Sequence, residues 1–247
     1  MYKYILVLLV ILALIITYAY NSGSCKIDKK YTCDNKFCLY KIFNYKLNES
    51  LTNEINKILL NDKIQKRVDI TTYPENLFGC ALPNKKGITI STEAMVKYAP
   101  NTIHFYQTEL CDYVSSLIGL KLYPTNLNLP TSCVLLIYQN EGDWINWHYD
   151  YNYYDGRFFT VLVPITNEKT CTEFVLMDNE NNIKNISLVD GKSICFEGNF
   201  LYHKASKLCK NQKRVLLSCQ FVTDNTISNI NELRLKLKDY AYVGKLF

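Results

Sequence analysis

From Ser132 onward the chain is written in short β-forming runs separated by tight-turn chemistry, and this rhythm limits the available folds more than any other feature. The runs cover residues 133–138, 158–165, 173–177, 183–189, 193–196 and 215–222, and they are rich in Val, Ile, Leu and Phe. Asp155-Gly156, Asp178-Asn179, Asp190-Gly191 and Glu197-Gly198 lie between them, where sharp reversals are needed. With no helix-length pattern between the runs, a sandwich or barrel is expected rather than a parallel α/β sheet. The chain has 247 residues, 48% of them hydrophobic, enough for one sizeable core.

Upstream the pattern is helical. Ser50 is positioned to cap a helix whose Leu51, Ile55, Ile58 and Leu59 make one apolar face. A second helix is expected over residues 102–120, with Ile103, Tyr106, Leu110, Val114 and Leu117 on one side, before Pro124 and Pro130 punctuate the chain. A helical stretch over about residues 231–240 closes the sequence. The expected organisation is a signal anchor or signal peptide (1–24), a cysteine-bearing stalk (25–49), a catalytic domain (50–225) and a C-terminal helical tail (226–247).

Residues 5–20 carry no charge, a length between a secretory h-region and a full membrane span. Ser22-Gly23-Ser24 offers small residues for cleavage, and an uncleaved anchor fits equally well. Orientation signals conflict, because Lys26, Lys29 and Lys30 follow the segment and would favour the cytosol for that side. The ten cysteines, with sequons at Asn48 and Asn185, instead favour an oxidising lumen, so a lumenal or extracytoplasmic domain is the expectation. Cys133, Cys195 and Cys219 sit in apolar runs and also read as reduced, buried thiols. The net charge of +5 is spread rather than massed in a stripe, which gives no support to nucleic-acid binding.

Only three histidines are present, at 104, 148 and 203. His148 and Asp150 are two residues apart in Trp147-His148-Tyr149-Asp150, so in an extended segment both point to one face and can reach one ion. His203 follows after several strands, enough chain to return to the same place. Two histidines and one carboxylate on one side of an ion leave positions open for substrate and dioxygen, as in non-haem iron(II) oxygenases, whereas a closed zinc site needs a fourth protein ligand. Arg214 opens an apolar run and, if it points inward, needs an anionic partner that its planar guanidinium can grip. Lys213 is the competing clamp. Ser218, four residues on, shares the face of Arg214 and can add a hydroxyl. His104, near a helix start with no acid beside it, reads as non-catalytic.

His148-Tyr149-Asp150, His203 and Arg214, in this order, resemble the HxD…H…R pattern of the iron(II)/2-oxoglutarate dioxygenases, in their prolyl-hydroxylase-like branch. The resemblance covers roughly residues 130–223. It implies a double-stranded β-helix (jelly-roll) core with supporting helices in an α+β, mainly β chain. It also implies iron(II) on His148, Asp150 and His203, and 2-oxoglutarate held by Arg214 with Tyr138 and Ser218. L-ascorbate would be a further cofactor. The implied activity is hydroxylation of a C–H bond, first on a peptidyl proline or lysine, with release of succinate and CO2. Asp150 stands against a halogenase, whose iron site lacks the carboxylate. Two features depart from the family: no Gly-Gly pair precedes Phe174, and Pro164 stands where relatives often place a polar cofactor contact. Alternatives are an oxygenase acting on a small molecule or lipid, and a membrane-displayed, non-catalytic jelly-roll binding module.

Overall fold

The computed structural model describes residues 4–7, 9–10, 37–71, 83–165, 171–178, 180–189 and 191–244. Strand β1 (Tyr40–Asn44) is followed by helix α1 (Glu49–Leu59), β2 (Lys66–Asp69) and β3 (Lys85–Ile90). Helices α2 (Thr92–Tyr98), α3 (Pro100–Phe105) and α4 (Cys111–Ile118) come next, the last two joined by one π-helical turn, Tyr106–Leu110. The strands β4 (Tyr123–Pro124), β5 (Cys133–Tyr138), β6 (Trp144–His148), β7 (Phe158–Pro164) and β8 (Phe174–Met177) follow. Then come β9 (Ile183–Ile186), β10 (Lys192–Phe196), β11 (Tyr202–Ala205), β12 (Arg214–Val222) and helix α5 (Asn229–Tyr242).

Among the described residues the twelve strands form one curled sheet in the order β1-β10-β7-β12-β5-β3-β6-β11-β8-β9, with β2 added to β3 and β4 to β12. Its ladders are antiparallel, and the bent sheet has the arrangement of a jelly-roll core. Alternation along each strand divides the interior in two. Cys133, Leu135 and Ile137 of β5, Phe159, Val161 and Val163 of β7, and Val215, Leu217, Cys219 and Phe221 of β12 face the helices. There they meet Leu51, Ile55 and Ile58 of α1, Met95 of α2, Ile103 of α3, and Val114 and Ile118 of α4. The opposite faces, with Val134, Leu136, Tyr138, Leu162, Ile194, Phe196 and Leu216, enclose a second cluster inside the curl. Continuous burial of β5, β7 and β12 explains why these runs are apolar throughout.

Several expectations are corrected. The last part of the stalk belongs to the sheet: residues 40–44 pair with β10, and Phe37 and Leu39 are buried. The order is not helices first and strands after, because β3 lies between β5 and β6. Asn48, not Ser50, caps α1: its side-chain oxygen accepts from the Leu51 N–H at 2.9 Å. The helix expected over 102–120 starts at Pro100, carries the π turn and stops before Gly119, whose φ of 70° is the left-handed C-cap conformation glycine adopts without strain. The strands expected over 183–189 and 158–165 end earlier, at Ile186 and Pro164.

Cys171 and Cys209 are disulfide-bonded, and Cys38 is also in a disulfide. Cys111, Cys133, Cys195 and Cys219 are buried free thiols. Cys25, Cys33 and Cys80 lie outside the described residues, as does most of the apolar segment 5–20. No helix among the described residues is long and apolar enough to cross a membrane.

Candidate metal centre

The centre is assembled where β6 and β11 run side by side. His148 ends β6 and His203 lies on β11 directly opposite it, with ring centroids 4.2 Å apart. A register shift follows between His203 and Ala205, so the ladder is irregular just beyond the pair. Asp150, two residues past His148, is anchored by its own N–H, which donates to the Gly198 carbonyl at 2.9 Å. Asp150 Oδ1 then lies 3.6 Å from His148 Nε2 and 3.8 Å from His203 Nε2. One ligand atom from each of the three residues falls within 4.8 Å of the others, a grouping fit for one ion.

Backbone carbonyls select the tautomers. His148 Nδ1 is 2.7 Å from the Asn146 carbonyl and His203 Nδ1 is 2.8 Å from the Leu201 carbonyl. A carbonyl only accepts, so each Nδ1 carries the proton and donates, leaving the Nε2 lone pairs aimed at the common point. Burial, and secondly the neighbouring His203, pushes the His148 pKa down to about 3, and burial also lowers that of His203. Both rings are therefore held in the neutral form that binds metals. Burial acts to raise the Asp150 pKa, but His203, His148 and the Thr160 hydroxyl outweigh it and hold the carboxyl below its usual range. Phe196 and Phe174 pack on the His203 ring with centroids 4.7 and 5.2 Å away, which fixes its plane.

From this point a cleft, open at its mouth, runs into the curl. Tyr138, Arg214, Ser218 and Gln220 line it beside Leu136, Leu162 and Leu216. Arg214 is 3% exposed, yet neither of its terminal nitrogens makes a hydrogen bond among the described residues. The ring of Tyr138, its paired residue on β5, lies 5.9 Å from the guanidinium carbon. Burial pushes the Tyr138 hydroxyl up to about 12, so it stays protonated and can donate. A buried guanidinium without a hydrogen-bond partner is costly unless an anion joins it, so this end of the cleft suits an anionic group. Lys213 is exposed and does not line the cleft, whereas Arg214 does. His104 is exposed on α3, as expected of a residue outside the centre.

The other aromatic side chains near the centre fall into different settings. Tyr149 and Tyr151 line the cleft, while Tyr154 is buried with Phe158, Val222 and Leu235 and Tyr153 packs against that group. Trp147 stacks on Tyr202 at 5.1 Å, with the Lys204 amine 4.7 Å above it.

Several cleft residues escape the sequence reading. Thr160 of β7 donates to Asp150 Oδ2 at 2.6 Å. The tail helix α5 brings Lys238, Asp239 and Tyr242 into the cleft wall. Asp239 Oδ2 accepts from the Thr131 hydroxyl at 2.5 Å, and its other oxygen is 3.1 Å from the Lys238 amine. The Tyr242 ring lies 3.6 Å from the amine of Lys85, a lysine buried on the inner side of β3 that donates to Thr89 Oγ1 at 2.5 Å. A polar residue inside the run Phe158-Phe159-Thr160-Val161 was the one legible signal for Thr160; nothing local to 238–242 places that segment at the site.

No family model and no curated protein matches the sequence. Similarity appears at the level of structure. The non-haem alpha-ketoglutarate-dependent epimerase SnoN from nogalamycin biosynthesis superposes with a TM-score of 0.55 at 11% identity, over 74% of this chain and 76% of SnoN. AviO1 from Streptomyces viridochromogenes Tue57 superposes at 0.54 and 10% identity, over 77% of this chain and 91% of its own. A 2OG-Fe(II) oxygenase family oxidoreductase from Burkholderia pseudomallei gives 0.54 and 11%, over 77% and 88%. SnoN has also been crystallised with Fe3+ and alpha-ketoglutarate. The chain has the fold of the iron(II)/2-oxoglutarate oxygenases.

Proposed function

We propose that the protein is an iron(II)- and 2-oxoglutarate-dependent dioxygenase that hydroxylates a C–H bond. The observation that carries this reading is Arg214: a buried guanidinium with both terminal nitrogens unpaired, in the same cleft as the His148–Asp150–His203 centre. A structural metal would need no anion clamp. In the proposed reading, Nε2 of His148, Oδ1 of Asp150 and Nε2 of His203 hold iron(II). Arg214 pairs with the far carboxylate of 2-oxoglutarate, with the Ser218 and Tyr138 hydroxyls beside it. When bound, the ion and cosubstrate supply the oxidative chemistry, in which dioxygen and 2-oxoglutarate are consumed, succinate and CO2 are released, and an oxygen atom enters the substrate.

The chain's own task is placement and exclusion of water. Leu136, Leu162 and Leu216 dry the cleft between the ligands and Arg214, which strengthens the charge pairing there. The carbonyls of Asn146 and Leu201 keep both imidazoles in the ligating tautomer. A peptidyl proline or lysine side chain is the proposed substrate, supported by the prolyl-hydroxylase-like motif and by Tyr149 and Tyr151 at the cleft. The proposed setting is the secretory pathway, with residues 5–20 as signal or anchor and ascorbate as reductant. The Cys171–Cys209 disulfide supports an oxidising compartment.

The test is succinate formation from 2-oxoglutarate with added iron(II) and ascorbate. Wild-type turnover that disappears in His148→Ala and Asp150→Ala supports the reading; no turnover, or turnover indifferent to both substitutions, would sink it. Arg214→Ala is expected to raise the 2-oxoglutarate requirement far more than it weakens iron binding, and equal loss of both would remove its assigned role. Mass spectrometry of candidate peptides for a 16 Da gain, the mass of one oxygen atom, about what a single hydroxylation adds, then tests the substrate class.

A further inference from the structure

We infer that Thr160 is a positioning residue whose hydroxyl ties up one carboxylate oxygen of Asp150, so that only the other is offered to the metal ion. This rests on the iron reading above and concerns how the centre keeps positions free. Thr160 Oγ1 donates to Asp150 Oδ2 at 2.6 Å, whereas both histidine Nε2 atoms lie nearest the opposite oxygen, Oδ1. Thr160 is 4% exposed and sits mid-strand, paired with Phe196 on one side and Gln220 on the other. It lines the cleft wall with little of its surface exposed.

The carboxylate is also fixed from behind. A Cβ placed on Gly198 would lie 2.3 Å from Asp150 Cβ and 2.6 Å from Oδ2, so only glycine lets the turn close against the ligand. The same glycine's carbonyl accepts from the Asp150 N–H. Buried Glu197, beside it, accepts from Arg157 Nε at 3.1 Å and Nη2 at 2.8 Å, and Arg157 lies just before β7. Strand β7 and the 197–198 turn are thus cross-tied, with Asp150 clamped between them.

The consequence follows from counting positions. A carboxylate with two free oxygens beside a divalent cation can bind through both. Two imidazoles and one carboxylate oxygen leave the positions that a chelating cosubstrate and dioxygen both need; a second carboxylate oxygen takes one of them. The Thr160 hydrogen bond stabilises Oδ2 in place and removes that competition. The same bond orients Oδ1, as partners of metal ligands generally do.

The experiment compares wild type with Thr160→Val, which keeps the shape and deletes the hydroxyl, Thr160→Ser, which restores it, and Gly198→Ala, which pushes the carboxylate from the other side. Iron(II) affinity is measured by chelator competition, and geometry by the visible spectrum of the cobalt(II)-loaded protein. Thr160→Val is expected to lose about 10- to 100-fold in iron affinity and to change the cobalt spectrum. Thr160→Ser should recover both, and Gly198→Ala should shift the spectrum too. In turnover, the valine variant should need more 2-oxoglutarate than the serine variant. Wild-type affinity and spectrum in Thr160→Val, or no recovery in Thr160→Ser, would overturn this inference while leaving the iron reading intact. Absence of iron and cobalt binding by the wild type would overturn both.

Discussion

Strands β5, β7 and β12 each have two faces, and the two are built to different rules. Towards the helices, β12 presents Val215, Leu217, Cys219 and Phe221, all buried among apolar neighbours. Towards the cleft, the same strand presents Arg214, Leu216, Ser218 and Gln220, with Thr160 beside Gln220 on the neighbouring strand β7 and the histidines lining the same cleft. The helix-covered face is saturated: each side chain has its contacts, and its free energy is in packing. The cleft face holds buried groups whose partners are missing or borrowed from distant segments, such as Arg214 with no hydrogen bond at its terminal nitrogens and Lys85 under the Tyr242 ring. One sheet thus stabilises the fold on one side and stores recognition on the other.

Substitutions on the two faces should therefore separate stability from function. The largest effect on stability is expected at Lys85, whose amine burial holds at a pKa of about 7 against 10.5 for an ordinary lysine. Below pH 7 both folded and unfolded chains carry the proton and the burial penalty is complete. Between pH 7 and 10.5 the unfolded chain binds more protons, so stability rises with pH across that window. The cumulative gain is up to about 5 kcal/mol, and Lys85→Met should flatten it, as urea unfolding at about pH 6 and about pH 9 would reveal. A slope unchanged by the substitution would mean that the amine is not the titrating group.

On the helix-covered face, Leu217→Ala should cost about 3 kcal/mol, within the usual 2–5 kcal/mol for a large-to-small core change, with little effect on ligand binding in the protein that remains folded. Denaturant midpoints test the first half and 2-oxoglutarate affinity the second. Arg214→Met, on the same strand but the opposite face, should change stability by no more than about 1 kcal/mol or raise it, because it removes an unpaired buried charge. It should still abolish the preference for 2-oxoglutarate over a monocarboxylate. Smallest of all, Ser218→Ala is expected to change the unfolding midpoint by under about 1 kcal/mol and to raise the 2-oxoglutarate requirement only a few-fold.

Legibility followed the same division. His148, Asp150, His203 and Arg214 could be read because the period-two geometry of a strand makes their spacing meaningful, and because histidines are scarce in this chain. Ser218 was legible as a residue on the face of Arg214 and Tyr138 only through the family resemblance; the register sets Tyr138 opposite Arg214, and both Tyr138 and Ser218 line the cleft. Strand β3 was not legible, since Lys85-Lys86-Gly87 hides its apolar second half and the following helices dominate the local pattern. The tail was read as a separate appendage because its charges look like a solvated helix. In fact Asp239, Leu235 and Val243 are buried, and the helix docks through Thr131 and Lys85.

By itself, then, the sequence determined the strand-rich character of residues 132–222 and picked out the candidate ligands His148, Asp150 and His203 and the candidate clamp Arg214, because each depends on periodicity and residue chemistry within one short segment. Only the tertiary structure decided which oxygen of Asp150 faces the histidines, that Thr160 and Gly198 hold it there, and that Lys238, Asp239 and Tyr242 wall the cleft. These depend on which strand lies beside which and on where a helix far along the chain comes to rest. Such contacts are set by the closing of the whole curl, and no local run of residues encodes them.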